Sequence, residues 1–143
     1  MITSLRIVAL VVRDQDEALK FYTEKLGFEK KSDDMFGPGM RWLTIAPKEQ
    51  KEIEIAPLLP HLAMHGEEGA QKLMEQVGKN PTWSYGVDDC LKTYEELLEK
   101  GVKFSSPPTV QFYGTEAVFE DLYGNPISMV ELSPTMIERL QGK

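Results

Sequence analysis

The alternation of apolar and polar residues changes period within the first thirty positions. "RIVALVVRDQDEALKFYTEKLGFEKK" opens with a β-branched run, Ile7 to Val12, suited to a buried strand. It then shifts to helical spacing, with Ala18, Phe21, Tyr22 and Lys25/Leu26 on one face. Asp14, with Glu17 three residues on, forms a capping box, and Gly27 stands where a left-handed residue ends a helix. "TWSYGVDDCLKTYEELLEKGVKF" repeats this plan: a strand, Asp88 as cap, Leu91, Tyr94 and Leu97/Leu98 on one face, and Gly101 as stop. Asp14 to Gly27 and Asp88 to Gly101 both span 13 positions, so the spacing points to an internal structural repeat.

Strand patterns follow each copy. "MRWLTIAP" and "KEIEIAPLL" flank a polar turn at Lys48 to Lys51, and "GTEAVFED" and "PISMVEL" flank Gly124-Asn125. Each half therefore reads strand, helix, then up to three strands. Module 1 covers about residues 1–59 and module 2 about 81–132. The intervening connector, about 60–80, holds a short helix from Glu67 to Val77. Ser133 and Pro134 mark the start of a terminal helix over 133–143.

Composition narrows the function classes. A length of 143 residues suits one domain or two small modules packed as one unit. The net charge of −7, from 16 Lys and Arg against 23 Asp and Glu with no basic cluster, opposes a nucleic-acid partner. The apolar run at Ile7 to Val12 is too short for a membrane span, and no export signal is visible. The single cysteine, Cys90, cannot form an internal disulfide, which sets the cytoplasm as the default compartment.

The motifs "VVRDQDEALKFYTEKLGF", "VDDCLKTYEELLEKGVKF" and "FEDLYGNPISMVEL" resemble the vicinal oxygen chelate superfamily, which includes glyoxalase I, bleomycin-resistance proteins and extradiol dioxygenases. The resemblance implies an α+β fold of two tandem βαβββ modules. Their curved mixed sheet surrounds a concave cleft, and the helices lie on the convex side. In metal-dependent members four His and Glu ligands face that cleft. Transferred position by position, those ligands fall at Ile7, Glu54, Thr82 and Ser128, leaving one carboxylate of four. One carboxylate with two weak neutral hydroxyls does not hold a divalent transition ion against water, so neither metal nor other cofactor is expected.

Alternation along the strands is an independent guide to facing. Ile53 and Ile55 should pack under a helix, turning Glu54 to the concave side; Trp83, Tyr85 and Val87 oppose Thr82, Ser84 and Gly86; Ile127 and Met129 oppose Ser128 and Val130. The two faces of "RWLTI" and "EAVFED" are too alike to separate. Glu54 is the sharpest candidate: among apolar and hydroxyl neighbours its pKa would rise toward that of a general base, unless it pairs with a cation such as Arg41. Trp42, Trp83, Phe112 and Tyr113 could form an aromatic lining for a planar ligand; Trp42 and Tyr113 are the favoured candidates, with Trp83 more in keeping with core. His61 and His65, spaced i, i+4, sit in an irregular connector with no motif glutamate between them, a weak basis for zinc. Cys90 lies in the first turn of a helix, where the dipole would lower its pKa, but with no base nearby it reads as a packed thiol.

The expectation is metal-independent binding of a small organic molecule by Ile7, Trp42, Glu54, Thr82, Ser84, Tyr113 and Ser128. The competitors are a lyase, isomerase or dioxygenase-type enzyme using Glu54, and a structural or regulatory module. Unpaired sheet edges lead to a homodimer as the expected assembly.

Overall fold

In the computed structural model, which describes residues 1–141, the apolar run near the start forms strand β1 (Ile7–Val11), with Leu10 and Val12 almost fully buried. Helix α1 (Gln15–Lys20) begins at Asp14, whose Oδ1 accepts the Glu17 N–H at 2.9 Å. Strands β2 (Glu29–Met35), β3 (Arg41–Ala46) and β4 (Glu54–Leu58) follow, then helix α2 (Leu62–Glu75). The sheet order is β1-β4-β3-β2, with β1 parallel to β4 and the other pairs antiparallel. Strand β5 (Trp83–Gly86), helix α3 (Cys90–Glu99), strands β6 (Lys103–Gln111), β7 (Gly114–Glu120) and β8 (Pro126–Leu132) repeat this topology in the order β5-β8-β7-β6. The fold is thus α+β with two tandem βαβββ modules. They form two compact units, unit 1 over Met1–Lys79 and unit 2 over Asn80–Lys143.

The second helix is capped one residue later than its sequence suggests. Asp89 rather than Asp88 accepts the Lys92 N–H, at 3.0 Å, so cap and terminal glycine lie one position closer than in the first module. The first helix absorbs its additional residue as a π-helical turn over Phe21–Lys25, where Leu26 N–H reaches back five residues to the Phe21 carbonyl at 3.4 Å. Gly27 and Gly101, at φ 77° and 81°, terminate both helices as expected.

The buried face of α3 differs from expectation as well. Cys90, Tyr94 and Leu97 point inward, while Leu91 and Leu98 remain 57% and 44% exposed. Those two leucines lie one position around the helix from Cys90 and Leu97, about 100° away. Tyr94 stacks edge-on against Phe104, with centroids 4.6 Å apart, and Phe104 continues to Phe119 at 5.3 Å.

Helix α2 spans Leu62–Glu75 with a break at Gly66 (φ 73°, ψ 170°), so its second segment starts at Glu67 as expected and ends at Glu75, two residues short of Val77. His61 N–H donates to His65 Nδ1 at 2.9 Å and His65 N–H to the His61 carbonyl at 2.8 Å, so the histidine pair closes the turn that starts this helix. The connection between β7 and β8 is built on Asp121. Its Oδ1 accepts the Tyr123 and Asn125 N–H groups, and its Oδ2 accepts from Asn125 Nδ2. Ser133 caps helix α4 (Pro134–Gln141) by accepting the Met136 N–H at 3.2 Å; residues 142–143 of the expected helix lie outside the described residues. No helix among the described residues is long and apolar enough to cross a membrane.

Candidate functional site

Strand alternation turns Ile55 into the core of unit 1, 3% exposed, and Glu54 to the opposite face of β4. Glu54 Oε1 accepts the Thr44 hydroxyl at 2.7 Å. Arg41 is engaged elsewhere, bonding Asp33 through Nε and Nη2 at 2.7 and 2.9 Å and Asp16 through Nη1 at 2.7 Å. Its guanidinium holds the Asp33 carboxyl down to about 2. Glu54 therefore lacks the Arg41 partner that the sequence offered. It lines a cleft of about 510 Å³ with Ile7, Trp42 and Ser32, to which Arg6, Lys51 and Glu52 contribute charges of both signs. Ile7 stands directly opposite Glu54 in the parallel β1–β4 ladder, and Trp42 is 38% exposed.

In unit 2 the carboxylate comes from a different strand. Ser128 donates its hydroxyl to Glu116 Oε2 at 2.5 Å, and Tyr113 Oη donates to Glu116 Oε1. Ser84, the register partner of Ser128 on β5, donates to the Ser128 hydroxyl at 3.4 Å. These two donors hold the Glu116 carboxyl below its ordinary range, Ser128 foremost, and the carboxylate in turn pushes the Tyr113 phenol up. Ser84, Tyr113 and Glu116 line a cleft of about 540 Å³ whose walls include Phe112, Leu132 and, from α4, Met136 and Leu140. Phe112 meets Tyr113 edge-on at 4.9 Å and is 88% exposed.

The two units build the same pair with the roles exchanged. Ile45 is paired with Ile55, which puts Thr44 and Glu54 diagonally across the β3–β4 ladder. Glu116 pairs with Val130 and Val118 with Ser128, which puts Glu116 and Ser128 on the corresponding diagonal of β7–β8. In unit 1 the hydroxyl lies on the third strand and the carboxylate on the fourth; in unit 2 the order is reversed. Ser128 thus bonds a carboxylate, Glu116, that the neighbouring strand supplies.

Of the sequence candidates, Ile7, Trp42 and Glu54 meet in the unit 1 cleft, and Ser84 and Tyr113 in the unit 2 cleft, with Ser128 bonded beneath Glu116. Thr82 is exposed ahead of β5 and lines neither cleft. Sequence reasoning missed Glu116, Arg6 and Lys51, and set aside Phe112, which lines the unit 2 cleft. The signal for Glu116 was available in the turn at Gly124-Asn125: folding β7 onto β8 there pairs Ala117 with Met129 and Phe119 with Ile127, leaving Glu116 on the face of Ser128. Cys90 is the packed thiol expected, fully buried, with burial and the nearby Glu131 carboxylate pushing its thiol up rather than the helix dipole lowering it; Glu131 Oε1 accepts the Cys90 N–H at 2.9 Å at the start of α3.

The donor set does not fit the metal that the superfamily's metalloenzymes use. The four transferred positions hold one carboxylate, and no group of three His, Cys, Asp or Glu side chains suited to a metal occurs among the described residues.

YurT of Bacillus subtilis (strain 168) is 40% identical over 126 residues, covering 87% of this chain and 96% of its own. The crystal structure of UcmS2 is 36% identical with a TM-score of 0.79, covering 92% of this chain and 99% of that one. TnmS3, an antibiotic binding protein from Streptomyces sp. CB03234, is 25% identical with a TM-score of 0.71, covering 92% and 98%. Residues 4–129 match the family model for the glyoxalase/bleomycin resistance protein/dioxygenase superfamily, and the chain belongs to that superfamily.

Proposed function

We propose that the protein binds a small organic molecule in the concave clefts without a metal. The observation that carries this is the open unit 2 cleft, about 540 Å³, in which an anchored carboxylate stands beside apolar walls. A cleft without a ligand role would be expected to fill with core side chains, whereas convergent polar groups at an apolar opening are what a ligand site requires. Likeness to an antibiotic binding protein supports the same class of activity. A lyase or isomerase would need a carboxylate with raised proton affinity. Glu116 has the opposite, because its two hydroxyl donors favour the charged form, so the unit 2 carboxylate is suited to pairing with a ligand rather than to proton abstraction.

The test is a thermal-shift screen of planar, apolar organic molecules, antibiotics included. A ligand at a hundred times its Kd should stabilise the fold by about 2.7 kcal/mol. Replacing Trp42 or Tyr113 with Ala should weaken that shift. If no compound raises the melting temperature, the structural or regulatory alternative takes precedence. A cytoplasmic setting and a homodimer complete the proposal.

A further inference from the structure

The two clefts differ in charge. In unit 1, Arg6 and Lys51 stand beside Glu52 and Glu54, so both signs are present. In unit 2, Glu116 is the sole formally charged side chain lining the cleft among the described residues, set among apolar and neutral polar groups. No Lys or Arg forms an ion pair with it among the described residues.

We propose that Glu116 determines ligand specificity in the unit 2 cleft, selecting an apolar molecule that carries a protonated amine. This rests on the reading of that cleft as a ligand site. Both Glu116 oxygens are already fixed, one by Tyr113 and one by Ser128, so the carboxylate is oriented before any ligand arrives. Neutral hydroxyls orient the charge without cancelling it, and a carboxylate has about four acceptor positions, of which they occupy two. Its depressed proton affinity keeps it ionised at neutral pH.

A carboxylate losing water beside Phe112, Val130, Leu132, Met136 and Leu140 is costly unless a cation compensates it. With no cation paired to it among the described residues, the complementary partner is a cation on the ligand. An ammonium group can donate to the free acceptor positions while its apolar body covers the α4 wall. An anionic ligand would meet repulsion from Glu116 and from the chain's net charge of −7.

The experiment compares two probes of nearly equal shape: 9-aminoacridine, a monocation at neutral pH whose amino N–H groups share the charge of the protonated ring, and acridine, the neutral ring. Binding to the full chain is followed by fluorescence and calorimetry at low salt. The wild type should bind the cation about tenfold or more tightly than the neutral ring, the range of a charge-assisted hydrogen bond. Glu116→Gln should bring the two affinities together while retaining acridine binding, and Glu116→Asp should keep the preference. Equal affinities in the wild type, or a preference that survives Glu116→Gln, would overturn the assignment while leaving the ligand-site reading intact. Failure of both probes to bind the wild type would overturn the ligand-site reading and the assignment together. Should Glu116→Gln fail to fold, the Glu116 carboxyl NMR signal of the wild type is followed as 9-aminoacridine is added: a shift that saturates with binding supports the assignment, and an unmoved signal overturns it.

Discussion

Glu116 shows how a single side chain acquires its properties from one neighbour close in sequence and one brought in by strand pairing. Ser128 is held on the next strand and Tyr113 at the start of its own hairpin, and both donate to the charged form. The folded-state pKa is therefore lowered from its ordinary 4.5. A carboxylate whose pKa is lower in the folded state contributes stability above the unfolded value, and that contribution disappears as pH falls through the folded value. Glu116→Gln should accordingly lower the melting temperature at neutral pH, with a gap from wild type that narrows progressively below pH 4.5. Tyr113→Phe removes one donor and should move the Glu116 midpoint upward in a carboxyl NMR titration; an unchanged midpoint would show that the phenol does not hold the charge. Glu54 was readable at this scale because Ile53 and Ile55 declare the opposite face. Glu116 was not, since Val118 beside it is as apolar as Ala117 and its facing emerges only through the pairing with β8.

At the scale of elements, caps and glycine stops were readable because they act locally: Asp14, Gly27, Gly101 and Ser133 each do what their type favours. Strands β2 and β6 left little pattern. Both are edge strands, β2 with the exposed charged run "EKKSDDM" and β6 with Pro107 and Pro108, features that protect an edge but disrupt apolar alternation. The face of α3 depended on one residue of cap position. Leu97→Ala should cost about 2–5 kcal/mol in chemical denaturation, whereas Leu98→Ala should stay within about 0.5 kcal/mol. Similar losses at both positions would contradict the observed facing. The π-helical turn makes a separate prediction. If it stores one residue more than the second module needs, deleting exposed Glu24 should let the helix close as a regular α-helix, with a melting-temperature change of no more than about 5 °C. Deleting Glu95 from α3, which has no such residue to lose, should be far more damaging, and equal damage from both deletions would contradict the stored-residue account.

For the whole molecule, duplication explains why the fold could be read from a short chain. Each βαβββ unit encodes its topology twice over, once in apolar spacing and once in the position of its caps. The exchanged carboxylate and hydroxyl show that the copies preserve a polar diagonal while changing which strand carries the charge. Position-by-position transfer misses this, because it compares residues rather than pairs. The same architecture leaves β1 and β5 with one hydrogen-bonded neighbour each in their own sheets. The β1 sequence, Ile7 to Val11, is wholly apolar, and unlike the charged β2 it has no side chain that discourages pairing. A second copy of the chain is the partner expected to cover such edges, since self-complementary association with two-fold symmetry is the commonest solution for small proteins. Sedimentation at micromolar concentration should therefore reveal a species of about 32 kDa, twice the 16.2 kDa chain. Val8→Lys, with folding verified by circular dichroism, should shift that population toward the single chain if β1 lies in the contact. A wild-type protein sedimenting only at 16.2 kDa would refute the dimer, while a dimer indifferent to Val8→Lys would place its contact away from β1.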